Sequence, residues 1–544
     1  MVAGADHASF DYIIVGAGSA GCVLANRLTA NGRHRVLLLE AGGPDRNIWI
    51  HVPLGYGKLF SNPKVNWLYT TEPEPELNNR RVIQPRGKVM GGSSSINGLL
   101  YIRGQHEDYD HWRQLGNAGW SFNDVLPYFR RAEDQERGGD ELHGVGGHLK
   151  VSDVCEPHPL CEAFIEAAQE SGFPRNDDFN GATQEGAGYF QLTTRNGRRW
   201  STAVGYLKEA KRRGNLTVVA NALAARILFS GRRAIGVEYR HGGATHTAHA
   251  NAEVIVSGGA FNSPQLLQLS GLGPAKILRE LGIDVVADMP GIGADLQDHL
   301  QVRMLYRCTE PITMNDVINN WRHRYAAGLR YLLSRKGLLT IGAGYAGAFL
   351  RTRPDLATPD VQFHFLIFSA DAAGATLHAF PGFMASVCQL RPDSRGFVCI
   401  TSRDPAAPPA IQPRYLSART DCDCVVDGMK LLRRVMNQPV MRRYIAEEHA
   451  PGEECASDAD LLAFARQTGT TVYHPTSTCR MGSDPNAVVD ERLRVRGVEG
   501  LRVIDASIMP TVVSGNTNAA AVMIGEKGSD MVLEDTRVSA SAAA

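Results

Sequence analysis

Asp11-Tyr12-Ile13-Ile14-Val15-Gly16-Ala17-Gly18-Ser19-Ala20-Gly21 is the stretch whose reading decides the fold. DYIIV is a short buried-strand run, and the CVLANRL that follows the glycines has the apolar spacing of a helix. The segment therefore reads as strand, tight turn, helix. Gly16, Gly18 and Gly21 make G-x-G-x-x-G across that turn. The first glycine permits the turn, the second lets backbone approach a pyrophosphate, and the third allows close helix–strand packing. The helix start then offers free N–H groups and a positive dipole end to phosphates. Gly32 closes the helix, and Val36 to Leu39 form a second buried strand ending on Glu40, where a carboxylate can accept ribose hydroxyls. On its own the glycine pattern is weak and could be an ordinary turn; strand context plus the acid favour a dinucleotide. An acid at 40 disfavours NADP but leaves NAD and FAD open.

Further along, Val254 to Val256 lead through Ser257-Gly258-Gly259-Ala260 towards a helix with Ser263 as N-cap and Pro264 at its first position. Leu501 to Ile504 are followed by Asp505 and then Gly515-Asn516-Thr517-Asn518 entering AAAVMI. One α/β domain assembled from separated segments explains these units better than three small domains. The expected segments are 1–155, 211–310 and 471–535, with a second domain at 156–210 and 311–470 and a disordered tail at 536–544. Alternation such as Val361-Gln362-Phe363-His364-Phe365 marks strands of the second domain.

Composition excludes more than it selects. The 544 residues are too many for one compact core. Lys plus Arg and Asp plus Glu both number 57, so there is no basic excess of the kind nucleic-acid binders carry. The start lacks a basic segment followed by an apolar one, so no signal peptide is expected, and no apolar run is long enough to span a membrane. Ten scattered cysteines do not make a disulfide scaffold. Cys422 and Cys424 have no second ligand pair nearby, so no metal is expected. A reducing cytoplasm fits this usage, with peripheral membrane attachment left open.

A second small-residue run, Arg86-Gly87-Lys88-Val89-Met90-Gly91-Gly92-Ser93-Ser94-Ser95-Ile96-Asn97-Gly98, is one that a plain NAD domain does not need. With it the chain resembles the glucose–methanol–choline (GMC) oxidoreductases, especially their choline dehydrogenase-like branch. GAGSAG with LLLEAGG, GKVMGGSSSINGLLYIRG, GGAFNSPQLLQLSGLGP, GIGADLQDHL, HPTSTCRMG and DASIMPTVVSGNTNAAAVMIGEK occur in the family's order across nearly the whole chain. The resemblance implies an α/β FAD-binding Rossmann-like domain with an α+β substrate domain built on a mostly antiparallel sheet. It implies FAD, and oxidation of a primary or secondary alcohol to the carbonyl with hydride transfer to flavin N5.

Carried over by position, Gly16, Gly18, Gly21 and Glu40 would hold the ADP half. Val89, Gly92, Ser93, Asn97 and Gly98 would line the pyrophosphate and isoalloxazine, and Asp505, Ala506, Asn516, Thr517 and Asn518 would close over the flavin. Ser19, Ala20, Ala41, Trp67, Gly91 and Ala224 are further cofactor positions. Some family members bind flavin covalently through a histidine where this chain has Ile96, so noncovalent FAD is expected. His474 matches the catalytic histidine and Asn518 the second polar residue. Histidine suits the role of base because its ordinary pKa of about 6.5 lets it accept a proton near neutrality. By spacing alone His474 would not stand out among 17 histidines, and Asn518 could equally serve the helix start.

Tyr473 and Phe365 are the expected pocket walls, and the apolar VQFHFLIFSA at 361–370 points to an aliphatic or aromatic alcohol. Choline would need an aromatic cage and a carboxylate, for which Trp67, Trp321 and Tyr473 are candidate walls. Electrons would pass to a quinone, another carrier or oxygen. Two alternatives stay open: choline dehydrogenase proper, and a hydroxynitrile lyase-type enzyme that uses FAD without net redox change. An NAD dehydrogenase or a non-enzymatic flavin binder would leave the second glycine run or His474 without a role.

Overall fold

The computed structural model describes residues 9–372 and 374–543. In chain order the elements that position the site are β1 (Ser9–Val15), α1 (Ser19–Thr29), β2 (Val36–Glu40), β3 (Gly186–Tyr189), β4 (Leu216–Ala220), β5 (Leu223–Ser230), β6 (Arg233–His241), β7 (Ala244–Val256), α2 (Gly259–Leu269), β8 (Leu300–Cys308), α3 (Trp321–Ser334), β9 (Ala346–Leu350), β10 (Val361–Leu366), β11 (Gly382–Gln389), β12 (Ile445–Ala450), β13 (Thr470–Thr471), β14 (Leu501–Val503) and α4 (Asn518–Ala543).

β1 is apolar because it is central. It pairs in parallel with β2 on one side and β7 on the other, placing Ile13 between Leu37 and Val254. Strands buried this way read as unbroken apolar runs. The sheet runs β4-β2-β1-β7-β6-β5. β7 is long enough for the edge away from β1 to serve two partners: its first half pairs antiparallel with β6, and Val254 to Val256 pair in parallel with β14. The C-terminal ends of β1, β2, β7 and β14 therefore open on one side, where open α/β sheets bind ligands.

The second sheet runs β12-β8-β11-β10-β9-β3, with β13 also on β8, and every pairing in it is antiparallel. Val302, Met304, Phe363, Phe365 and Val387 bury one face of it against Met429 and Leu432 of the helix Arg419–Met436.

Three expectations change. β8 lies inside the stretch assigned to the nucleotide domain, 211–310, yet it belongs to the antiparallel sheet. α2 begins at Gly259, so Pro264 sits inside it and Ser263 is not its N-cap. The reason is remote: Asp505 Oδ2 accepts from Gly259 N at 2.8 Å and from Ser263 Oγ at 2.5 Å, satisfying the helix start from far along the chain. Finally, α4 runs on to Ala543 through the stretch expected to be disordered, and the Thr536 and Tyr12 hydroxyls lie 2.5 Å apart; residue 544 lies outside the described residues.

Candidate active site

The first glycine turn is held by backbone. Gly16 N donates to Leu39 O at 2.8 Å, and Gly16 has φ +103°, with room for no Cβ beside Ser257 O. A Cβ on Gly21 would lie 1.9 Å from Gly16 O, so α1 packs directly on the turn. Gly21 is thus a packing residue, while Gly18, Ser19 and Ala20 line a cavity of about 760 Å³. A Cβ on Gly18 would meet only Ser257 O, at 4.0 Å, leaving an open groove at the start of α1. Glu40 is buried, which pushes its carboxyl up to about 7, while Ala17 N and Gly42 N each donate to it at 2.8 Å and oppose the shift. Ala41 and Ala224 also line this end.

The second glycine run folds onto the first. Gly91 N donates to Ala17 O at 2.7 Å, and a Cβ on Gly92 would lie 2.7 Å from Gly18 Cα. Gly92, Ser93, Ile96, Asn97 and Gly98 line the cavity. Val89 and Gly91 do not: Val89 packs with Ile50, Leu59, Val65 and Ile96, and Gly91 ties the two loops together. Arg199, overlooked in the sequence, clamps the run by donating to Asn97 Oδ1 (2.6 Å), Asn97 O (2.7 Å) and Ser94 O (3.2 Å). Trp67 stacks on Tyr69 at 5.6 Å under the Lys88 ammonium. Asp505, Ala506, Asn516, Thr517 and Asn518 close the wall. Small residues around an open groove, backbone donors at a helix start and a buried acid at the ribose end together fit FAD.

His474 stands in a line of hydrogen bonds that fixes its protonation. His299 Nε2 faces Leu390 O at 2.8 Å, and a carbonyl only accepts, so this nitrogen carries hydrogen. Burial lowers the His299 pKa and keeps the ring neutral, so its Nδ1 accepts from His474 Nδ1 at 3.0 Å. His474 Nε2 is left with its lone pair towards the cavity, where Asn516 Nδ2 donates to it at 3.0 Å. Gln362 Nε2 reaches Asn516 Oδ1 at 3.4 Å and turns that amide the right way. Burial, then His299, His364 and Arg86, hold the His474 pKa well below its ordinary value. His474 N donates to Asp298 Oδ1 at 2.8 Å, anchoring the backbone. Asn518, the expected second polar residue, is not the one that meets His474. Asn518 starts α4, and its Oδ1 accepts from Ser19 Oγ at 2.8 Å, so it joins the two helix starts instead.

Beyond His474 the cavity is walled by the antiparallel sheet. Gln301 and Arg303 of β8, His364 and Leu366 of β10 and Met384 of β11 face it, with Tyr56, Phe60 and Tyr473 opposite. Phe365 was expected here and is not. Alternation along β10 turns it to the core, where it stacks on Phe164 at 4.8 Å, and its neighbours His364 and Leu366 face the cavity. Trp321 is also no wall; it is 68% exposed on α3.

The chain matches the N- and C-terminal family models described as GMC oxidoreductase over residues 10–301 and 392–525. It is 46% identical over 529 residues to an oxygen-dependent choline dehydrogenase of Burkholderia thailandensis, covering 96% of this chain and 93% of that one. Among solved structures it resembles pyridoxine 4-oxidase from Mesorbium loti (TM-score 0.88, 30% identity, 96% of this chain and 99% of that one). It also resembles formate oxidase (TM-score 0.92, 26% identity, 98% and 100%).

Proposed function

Because the chain belongs to the GMC oxidoreductase family and is an FAD-dependent alcohol oxidoreductase, we propose that His474 is its base and Asn516 the holder of the substrate oxygen. The unprotonated Nε2 of His474, set by His299 and aimed into the cavity, is the observation that carries this reading. A hydroxyl entering between the two side chains would give its proton to His474 Nε2 and accept from Asn516 Nδ2. Loss of that proton and of a hydride from the adjacent carbon leaves a carbonyl. Bound FAD supplies the hydride acceptor. Base help of this kind is typically worth about 10²–10⁴ in rate. Ile96, lining the cavity, cannot form a covalent bond to flavin, which supports noncovalent FAD.

The nucleotide domain comprises 1–155, 211 to about 299 and 471–535, and the substrate domain 156–210 and about 300–470. Electrons leave to a quinone, another carrier or oxygen. The location is cytoplasmic and peripheral to a membrane. No helix among the described residues is long and apolar enough to cross one, and the exposed side chains of α3 support docking on its surface.

The experiment is anaerobic bleaching of the flavin by a panel of alcohols. His474→Ala and Asn516→Ala should each slow bleaching by two or more orders of magnitude while FAD stays bound, and Asn518→Ala should slow it far less. Fast bleaching by His474→Ala would remove His474 from the role. A wild-type flavin that no alcohol bleaches would favour the lyase chemistry.

A further inference from the structure

The substrate end of the cavity holds a positive charge with no negative partner. β8 alternates, so Val302 and Met304 enter the core while Gln301 and Arg303 face the cavity. Among the described lining residues the only acids are Glu40 and Asp505. Both are committed at the nucleotide end: Glu40 to Ala17 N and Gly42 N, Asp505 to Gly259 N, Ser263 Oγ and Ser507 N. No carboxylate among the described residues pairs with Arg303. Gln301 is no substitute, since its amide donates to Thr471 O at 3.1 Å.

The groups around Arg303 are donors in need of an acceptor. Arg303, Tyr56, Tyr473 and His364 all line the cavity; burial raises the phenols of Tyr56 and Tyr473, and the Arg303 charge opposes both shifts. Among the described residues the buried Tyr473 hydroxyl finds no acceptor, and His364 Nε2 has no hydrogen-bond partner. Burial, then His299 and Arg303, lower His364 to about 3, so it is neutral and can offer Nε2–H. A guanidinium, a phenol and an imidazole without an acceptor make a poor seat for a cation and a good one for an oxyanion.

We propose that Arg303, with Tyr473 and His364, binds a carboxylate on the alcohol substrate, so that the substrate class is a hydroxy acid. This rests on the alcohol-oxidation reading above. Arg303 lies four positions beyond His299 on the same extended run, about 13 Å of strand rise from the residue that holds His474. Several bonds therefore separate the carboxylate from the reacting carbon. The same arrangement disfavours choline, whose trimethylammonium group would face Arg303 with no carboxylate to balance it.

The test compares ω-hydroxyhexanoate, ω-hydroxyhexanamide and ω-hydroxyhexyl-trimethylammonium as anaerobic reductants of the holoenzyme, in wild type, Arg303→Gln and Arg303→Glu. A charge-assisted pair should favour the hydroxy acid over the amide by roughly 10–100-fold in kcat/KM. Arg303→Gln should erase that preference, and Arg303→Glu should move the cation to first place. Hexanoate binding, read by calorimetry, needs no turnover and should weaken roughly 10-fold or more in Arg303→Gln. Equal rates for the three alcohols in wild type, a cation preferred by wild type, or hexanoate binding indifferent to Arg303 would each overturn the proposal while leaving alcohol oxidation standing. A flavin that none of the three bleaches would instead sink the reading beneath it.

Discussion

In the proposed reaction His474 would take a proton at the start of a turnover, because groups behind it have already decided where its own hydrogen sits. Leu390 O forces His299 into one tautomer, His299 forces His474 into the complementary one, and Nε2 faces the cavity without a hydrogen of its own. The pH dependence follows. Burial, then His299, His364 and Arg86, all act against the imidazolium, so the folded pKa lies well below 6.5. The competent neutral form is fully present above that folded value. The kcat/KM for alcohols should therefore stay level as pH falls through 6.5 and decline only well below it, read by stopped-flow flavin reduction across pH. An acid limb at or above 6.5 would contradict the buried, neutral His474. His474 was readable in the sequence only through its motif, since nothing local in HPTSTCRMG shows His299 or Leu390 beside it. Two asparagines flank Thr517, and only the fold shows which one meets His474 and which one meets Ser19. Phe365 failed by parity alone, because a strand buried on both faces gives no outward sign of which residues face a cavity.

At the scale of elements, the turn between β1 and α1 is the joint on which the proposed cofactor site rests. A side chain at Gly21 would meet Gly16 O at 1.9 Å, an approach that only a shift of backbone relieves. Gly21→Ala should therefore yield folded protein nearly empty of flavin, measured as the ratio of flavin to protein absorbance. Gly214→Ala is the matched control: nothing lies within 4 Å of its Cβ, and it should keep a normal flavin content. Equal flavin content in the two variants would mean that α1 can retreat without cost to the site. This joint was legible in the sequence because its closest contact, Gly21 against Gly16 O, lies within one strand–turn–helix segment. The start of α2 was not, because Asp505, which supplies its acceptor, comes from the other end of the chain. The extent of the antiparallel sheet was misread at β8 for a comparable reason. Alternation in LQVRMLYRC marks a strand without saying which sheet it joins, and only its partners β11 and β12 assign it.

At the scale of the molecule, charge and apolar exposure are distributed unevenly although the net charge is zero. Five of the eleven large apolar residues exposed among the described residues lie on α3: Trp321, Tyr325, Leu329, Leu332 and Leu333. Their spacing puts them on one helix face. No acid occurs from 317 to 354, and Arg322, Arg324 and Lys336 form no ion pair with a described residue, although Arg330 pairs with Glu156. An apolar stripe flanked by unpaired bases matches an anionic lipid surface. Met314, Ile318 and Asn319, just before α3, line the cavity, so docking here would bring its mouth close to the bilayer and to any lipid-soluble electron acceptor. The full-length holoenzyme should co-sediment with vesicles containing phosphatidylglycerol and much less with pure phosphatidylcholine. Added salt should weaken the binding, because exposed charges are screened within about 10 Å at 0.1 M. The pair Leu332→Ser and Leu333→Ser should release the protein from vesicles and leave bleaching by a soluble alcohol unchanged, since neither residue lines the cavity. Sedimentation of that variant equal to wild type would assign any membrane affinity to another surface. A wild-type protein that instead self-associates through this face, without touching vesicles, would make α3 a contact between copies and remove the lipid.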